Sequence, residues 1–121
     1  MKIESLAISN WRSIKYLEIA FQDLMIFIGQ NNHGKSNVLS ALLFFFGEIK
    51  PQDLDFNKGA QELFVEITFG DLDQTDKTTF KKYLTADGSI KVRKFAYVGG
   101  NFEYRGYTQM NRPGFRGGYL V

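Results

Sequence analysis

Cysteine is absent from the 121 residues and histidine occurs once, which excludes several kinds of chemistry. Without cysteine there is no disulfide framework, no thiol nucleophile and no Cys/His zinc site. A single histidine also excludes a metal centre that needs two of them. The missing cysteine leaves the redox compartment unconstrained, so a cytoplasmic location is the default expectation.

Long apolar runs are missing as well. The longest candidate, residues 38–46, is interrupted by Ser40 and falls far short of the roughly 18 to 20 residues that a membrane-spanning helix needs. Residues 1–4 lack the basic flank and apolar block of a signal peptide. We therefore expect a soluble protein with no membrane partner.

The composition is that of one globular domain. Hydrophobic residues make up 44%, charged residues 23% and aromatic residues 16%, which argues against disorder. The formal net charge is only +2, but residues 1–76 carry 6 Lys and Arg against 11 Asp and Glu, whereas residues 77–121 carry 9 against 2. A basic carboxy-terminal third is compatible with nucleic-acid binding and equally with a solvated sheet face.

Apolar periodicity predicts a β-rich chain in the order β-β-β-α-β-(α)-β-β. Strands are predicted where apolar residues alternate or flank a glycine turn, over residues 3–8, 16–21, 63–69, 90–98 and 102–107. Met25–Ile28 is apolar on both faces and predicts a central strand. Residues 37–46 are apolar on all sides and predict a buried helix that ends at Gly47, and residues 75–84 predict a short helix.

These elements divide the single domain, residues 1–121, into four parts. Residues 1–47 hold a hairpin, a strand, a loop and a helix, and residues 48–62 are a predicted loop. Residues 63–110 are a β-rich segment, and residues 111–121, rich in glycine and arginine, have no assigned structure.

One segment matches the phosphate-binding loop G-x-x-x-x-G-K-[ST], and it consists of Gly29, Gln30, Asn31, Asn32, His33, Gly34, Lys35 and Ser36. Glycine at positions 29 and 34 would let successive N–H groups turn inward onto an anion. The ammonium group of Lys35 would lie against the β- and γ-phosphates, and the hydroxyl of Ser36 would bind Mg²⁺. The following helix directs its positive end towards the same anion. The predicted ligands are a nucleoside triphosphate and magnesium.

The absence of two motifs limits which nucleotide we expect to bind. There is no G-x-G-x-x-G, so the dinucleotide fingerprint is missing. There is also no guanine-reading segment of the N-K-x-D type, which favours ATP.

Two stretches of the chain, Asn10-Trp11-Arg12-Ser13-Ile14 and residues 28–42, together resemble the opening of an ABC-type ATPase head. SMC-like and RecF-like DNA-repair ATPases begin in this way, with an N-F-R-S element ahead of the phosphate loop. Asn31-Asn32 followed by Gly34-Lys35-Ser36-Asn37 is most similar to the overcoming-lysogenization-defect (OLD) family of ATP-dependent endonucleases, in which such a head precedes a Toprim nuclease domain. The resemblance is tight over residues 1–46 and covers only the strand order from 47 to 121.

This resemblance implies an α/β fold, the amino-terminal lobe of an ABC-type P-loop head, with a mixed sheet that includes antiparallel hairpins. It implies that residues 29–37, Asn37 included, bind ATP, that Ser36 binds magnesium, and that Arg12 lies near the nucleotide. It further implies DNA as a partner of the whole protein and a homodimer formed through the heads. Trp11 replaces the usual phenylalanine, and His33, where small residues are common, is expected to point to solvent.

The parts that hydrolyse ATP in such heads are not recognisable. The segment most like a Walker B strand, residues 64–71, is interrupted by Glu66 and Thr68, and residues 98–100 only superficially match the signature glycines. No switch histidine and no Toprim carboxylate cluster can be identified. We therefore expect no catalytic residues in this chain, little turnover, and a longer protein of which this is the first part.

Two alternative functions are also compatible with the sequence. Residues 104–107 and 114–119 interleave arginine, glycine and aromatic side chains, which can stack on bases, so the chain could be a small nucleic-acid-binding module. It could also be a small ATP-dependent regulator whose partner completes the site.

Overall fold

The computed structural model describes residues 1–29, 34–112 and 115–120, with side chains described as far as Thr108. The strands are β1 (Lys2–Trp11), β2 (Ile14–Ala20), β3 (Glu62–Gly70), β4 (Ile90–Tyr97), β5 (Phe102–Arg112) and β6 (Phe115–Leu120). The helices are α1 (Phe21–Gly29), α2 (Lys35–Phe45) and α3 (Gln74–Thr79), with short 3₁₀ helices at Asp53–Asp55 and Lys81–Tyr83.

The described strands form one six-stranded sheet in the order β2-β1-β3-β4-β5-β6. The helices and strands together confirm the α/β class. Every neighbouring pair of strands is antiparallel, so the described sheet is not the mixed sheet that the resemblance implies. Leu6 on β1 lies opposite Ile19 on β2 and Ile67 on β3, and Ile8 lies opposite Val65. Because strand side chains alternate between faces, this register directs a row of apolar side chains to one side of the sheet.

Helix α2 packs on that apolar side. Val38, Ala41 and Phe44 are each at most 1% exposed and belong to the same buried cluster as Leu6 and Ile67. Their spacing of three residues places them on one face of the helix. The core therefore lies between this face and the centre of the sheet.

The opposite face of α2 is open, so the prediction of a helix buried on all sides is wrong. Leu39 and Leu43 are 36% and 46% exposed. The helix does end where predicted, because Gly47 has a φ of +81° and donates its N–H to the carbonyl of Phe44 at 3.0 Å. Glycine adopts this left-handed conformation at little steric cost, which ends the helix there.

Two side chains from β4 and β5 hold the carboxyl end of α2. The ammonium group of the buried Lys94 donates to the carbonyl of Phe44 at 2.7 Å, and the hydroxyl of Tyr104 donates to the carbonyl of Phe45 at 2.6 Å. The same ammonium lies 4.5, 5.0 and 4.9 Å from the ring centres of Phe44, Phe102 and Tyr104. A positive charge at this end complements the helix dipole and fixes α2 to the sheet.

The segment before the phosphate-binding motif is a helix, and the predicted strand over Met25–Ile28 is wrong. Helix α1 contains this run, with Leu24 buried while Met25 and Ile26 are 53% and 61% exposed. Strand β1 is already paired on both edges, with β2 and β3, which leaves no central position beside it. A helix satisfies the backbone hydrogen bonds of the run within the segment itself. Periodicity alone cannot distinguish the two structures in so short an apolar run.

The later predictions mostly hold. The predicted hairpin is formed by β4 and β5, with Gly99 and Gly100 at φ values of +106° and +101° in its turn. The short helix predicted over residues 75–84 is divided between α3 and the second 3₁₀ helix. Within the segment without a predicted structure, residues 115–120 form β6 and pair with β5.

No helix in the described ranges is long and apolar enough to cross a bilayer.

Candidate nucleotide-binding site

Helix α2 begins directly after the second glycine of the motif. Gly34 is the residue at its amino cap, and Lys35 and Ser36 are its first two residues. No side chain in the described part of the chain caps this end through a hydrogen bond. The N–H groups of the first turn have no partners within a helix, so this end offers donors and a positive dipole to an anion. Lys35 is half-buried and Ser36 is exposed.

The structure does not describe four of the predicted ligand residues, namely Gln30, Asn31, Asn32 and His33. The glycines on either side of them do not adopt left-handed backbone conformations, since Gly29 ends α1 and Gly34 has a φ of −83°. A Cβ at position 34 would instead lie 3.3 Å from the ring of Phe27, which is tight. Glycine at position 34 is therefore favoured by a close approach and not by its backbone conformation.

The turn between β1 and β2 is hydrogen-bonded to the first two turns of α2. Nε1 of Trp11 donates to Oγ of Ser40 at 2.9 Å. Nη1 of Arg12 donates to Oδ1 of Asn37 at 3.3 Å, and Nδ2 of Asn37 donates to Oγ of Ser13 at 3.0 Å. Three consecutive residues, the last of β1 and the two of the turn, thus contact α2, and two predicted site residues, Arg12 and Asn37, meet at its amino end.

Trp11 is buried at this contact. Its side chain is 0% exposed, and its ring stacks on Phe44 with centres 5.3 Å apart and planes 25° apart. Ser40 accepts from the indole and donates to the carbonyl of Asn37 at 2.9 Å. Tryptophan here therefore adds a buried hydrogen bond that phenylalanine could not form.

The loop after α2 holds Arg12 from a second side. Nε of Arg12 donates to Oδ1 of Asp55 at 2.9 Å, and its backbone N–H donates to the carbonyl of Asp55 at 2.6 Å. Nδ2 of Asn57 donates to the carbonyl of Arg12 at 2.8 Å. These bonds hold Arg12 at a φ of +52°, a conformation that non-glycine residues adopt only where the surroundings determine it.

Sequence reasoning missed Asp55 and Asn57. The local signal at Asp55 is a turn, in which the N–H of Gln52 donates to Oδ2 of Asp55 at 2.8 Å. Such a turn can be read from the sequence, but its contact with Arg12, 43 residues away, cannot.

Arg93 on β4 and Arg105 on β5, which belong to the basic carboxy-terminal third, have partners within the domain. Nη2 of Arg105 lies 2.7 Å from Oε1 of Glu103, and Nη2 of Arg93 lies 3.4 Å from Oε1 of Glu66. Burial raises the pKa of Glu66 and lowers the pKa of Arg93. These contacts do not favour a surface of free arginines for stacking on bases. The arginine side chains of the last segment lie outside the described residues.

The chain has an α/β fold, and its sequence carries the phosphate-binding motif typical of P-loop ATPases. A family model described as "AAA ATPase domain" matches residues 1–95, and the chain belongs to that family. A comparison with curated proteins found no match.

Solved SMC heads have a similar fold. One structure, from work on ATP-driven dimerization and DNA-stimulated activation of SMC ATPases, is 22% identical with a TM-score of 0.63, over 88% of this chain and 69% of the other. An SMC head bound to the C-winged helix domain of ScpA is 21% identical (TM-score 0.58; 88% and 35% covered). The SMC head domain from Thermotoga maritima is 20% identical (TM-score 0.54; 93% and 39% covered). At this identity the likeness shows the fold, and the chain spans little more than a third of the last two structures.

Proposed function

We propose that this protein binds ATP and magnesium at the amino end of α2, as the nucleotide-binding lobe of a DNA-processing ATPase that resembles the OLD family. The observation that supports the site most strongly is the contact between the β1–β2 turn and α2. It holds the guanidinium group of Arg12 against Asn37, one residue beyond Ser36 on the helix that Lys35 begins.

The described residues fit a polyphosphate. The uncapped N–H groups of α2 can donate to phosphate oxygens, and Lys35 adds a compact positive charge at the same end. Arg12 has one guanidinium nitrogen, Nη2, without a hydrogen-bond partner among the described residues, and this nitrogen can donate to a further phosphate oxygen. The exposed hydroxyl of Ser36 would bind magnesium, which neutralises charge on the phosphates it bridges.

Replacing Lys35 tests the site. Lys35→Ala removes a charge-assisted contact, and we expect Mg-ATP to bind about 10- to 100-fold more weakly by isothermal titration calorimetry. The matched control is Lys77→Ala, which removes the same charge from an exposed lysine of α3. Equal ATP affinities for Lys35→Ala and the unmodified protein would overturn the proposal.

We infer that this lobe binds ATP without appreciable turnover. Hydrolysis needs a carboxylate or amide that orients the attacking water, and the sequence contains no apolar strand that ends in the required acidic pair. A phosphate-release assay should therefore give little signal above buffer. Clear turnover that is lost in Lys35→Ala would contradict this inference.

We further propose that nucleotide binding drives pairing of two heads and that DNA is the partner of the whole protein. The support is the resemblance of residues 10–14 and 28–42 to OLD-family heads, together with a fold similar to SMC heads. Sedimentation velocity should show an ATP-dependent dimer that Lys35→Ala cannot form. Nuclease activity is proposed for a Toprim domain and not for any residue of this lobe, so cleavage of plasmid DNA by residues 1–121 alone would contradict it.

A further inference from the structure

We propose that Asp55 is a positioning residue for nucleotide binding, which holds the Arg12 guanidinium at the amino end of α2. The proposal rests on the ATP site proposed above. It adds a residue from the loop after α2, outside both the phosphate-binding motif and the N-W-R-S element.

The carboxylate of Asp55 is itself fixed. Oδ1 accepts from Nε of Arg12 at 2.9 Å, and Oδ2 accepts from the backbone N–H of Gln52 at 2.8 Å. The Asp55 side chain is 16% exposed, compared with 36% for Arg12. With both oxygens bonded and little contact with water, the carboxylate has one orientation in which to hold the arginine.

Fixing Nε of Arg12 fixes the plane of its guanidinium group. The group is planar, so the bond from Nε to Asp55 and the bond from Nη1 to Asn37 together leave it little freedom to rotate. Nη2, which has no hydrogen-bond partner among the described residues, is then held in place before a phosphate arrives. A side chain that is already ordered loses less conformational entropy on binding, so the bond it forms contributes more affinity.

Asp55→Ala is the test variant, and Asp53→Ala is its matched control. Asp53 lies in the same short helix, is exposed and carries the same charge, but within the described part of the chain it forms no hydrogen bond or ion pair with Arg12. We expect Asp55→Ala to weaken Mg-ATP binding about 3- to 10-fold, from the cost of ordering a freed arginine. Asp53→Ala should bind as the unmodified protein does.

A double-mutant cycle with Arg12→Ala separates positioning from a general effect on the fold. If Asp55 acts through Arg12, Asp55→Ala has no further effect on ATP affinity once Arg12 is alanine. An equal loss of affinity in both backgrounds would overturn the inference, because Asp55 would then act without Arg12. If Asp55→Ala does not fold, Asp55→Asn keeps an oxygen that can accept from Nε and loses the acceptor for Gln52. In that case Asp55→Asn replaces Asp55→Ala in the cycle, with the same two outcomes.

The outcomes distinguish this inference from the site on which it rests. ATP binding that depends on Lys35 but is unchanged in Asp55→Ala overturns the role of Asp55 alone. No ATP binding, or binding that does not depend on Lys35, overturns both.

Discussion

The hydrogen bond between Trp11 and Ser40 joins the end of β1 to α2, and Ser40→Ala should reveal its strength. The substitution leaves the Nε1–H of Trp11 buried without its acceptor, because Trp11 is 0% exposed and Ser40 is that acceptor at 2.9 Å. An unsatisfied buried donor costs about 1–3 kcal/mol. Alanine has a better helix propensity than serine, which returns about 0.5 kcal/mol.

The net expectation for Ser40→Ala is a loss of about 0.5–2.5 kcal/mol of unfolding free energy, or about 2–10 °C in Tm for a chain of this length. In a Trp11→Phe background the donor is gone, so Ser40→Ala should cost nothing or stabilise slightly through helix propensity. Urea unfolding followed by circular dichroism measures all four variants, including those without the single tryptophan.

An equal cost of Ser40→Ala in both backgrounds would refute the reasoning. It would mean that the indole N–H is satisfied without Ser40 and that the serine acts elsewhere. A neutral Ser40→Ala in the unmodified protein would refute it as well.

Two further perturbations test other contacts. A Cβ at Gly106 would lie 2.5 Å from the ring of Tyr83, so Gly106→Ala should cost about 1–3 kcal/mol in urea unfolding, and much less in a Tyr83→Ala background; an equal loss in both would contradict this contact. Hydrogen bonds from Tyr97 and Arg105 lower the pKa of Glu103. The ionised carboxylate therefore stabilises the fold at pH values above the ordinary carboxyl pKa, and this stabilisation is lost as the pH falls through the lowered pKa. Tm measured against pH should therefore fall less steeply in acid for Glu103→Gln, and curves of identical shape would contradict the assignment.

The elements that the sequence predicts well are those with one buried face. Leu63, Val65 and Ile67 are each 0% exposed and occupy alternate positions along β3. The period-two pattern in the sequence therefore indicates which face of the strand is buried. The start of α2 is predictable for a different reason, since Gly34 and Lys35 belong to a motif that requires a helix at that point.

The errors occur where a distant partner decides the structure. The apolar run Met25–Ile28 is compatible with a strand and with a helix. Because β1 pairs with β2 on one edge and with β3 on the other, a further strand cannot pair with β1. The role of Asp55 could not be predicted for the same reason, because its contact with Arg12 joins residues far apart in the chain and produces no periodic pattern in the sequence. The sequence therefore indicates the motif and Arg12 as candidate site residues, but it does not indicate the loop that holds the arginine.

The amino end of α2 is the place where we propose that the phosphates of ATP bind. Amide NMR spectra of ¹⁵N-labelled protein, recorded during titration with magnesium and a non-hydrolysable ATP analogue, test this directly. We expect the signals of Gly34, Lys35 and Ser36 to shift together and to saturate at one affinity. Unchanged signals at these three amides, or shifts confined to β4–β6, would contradict it.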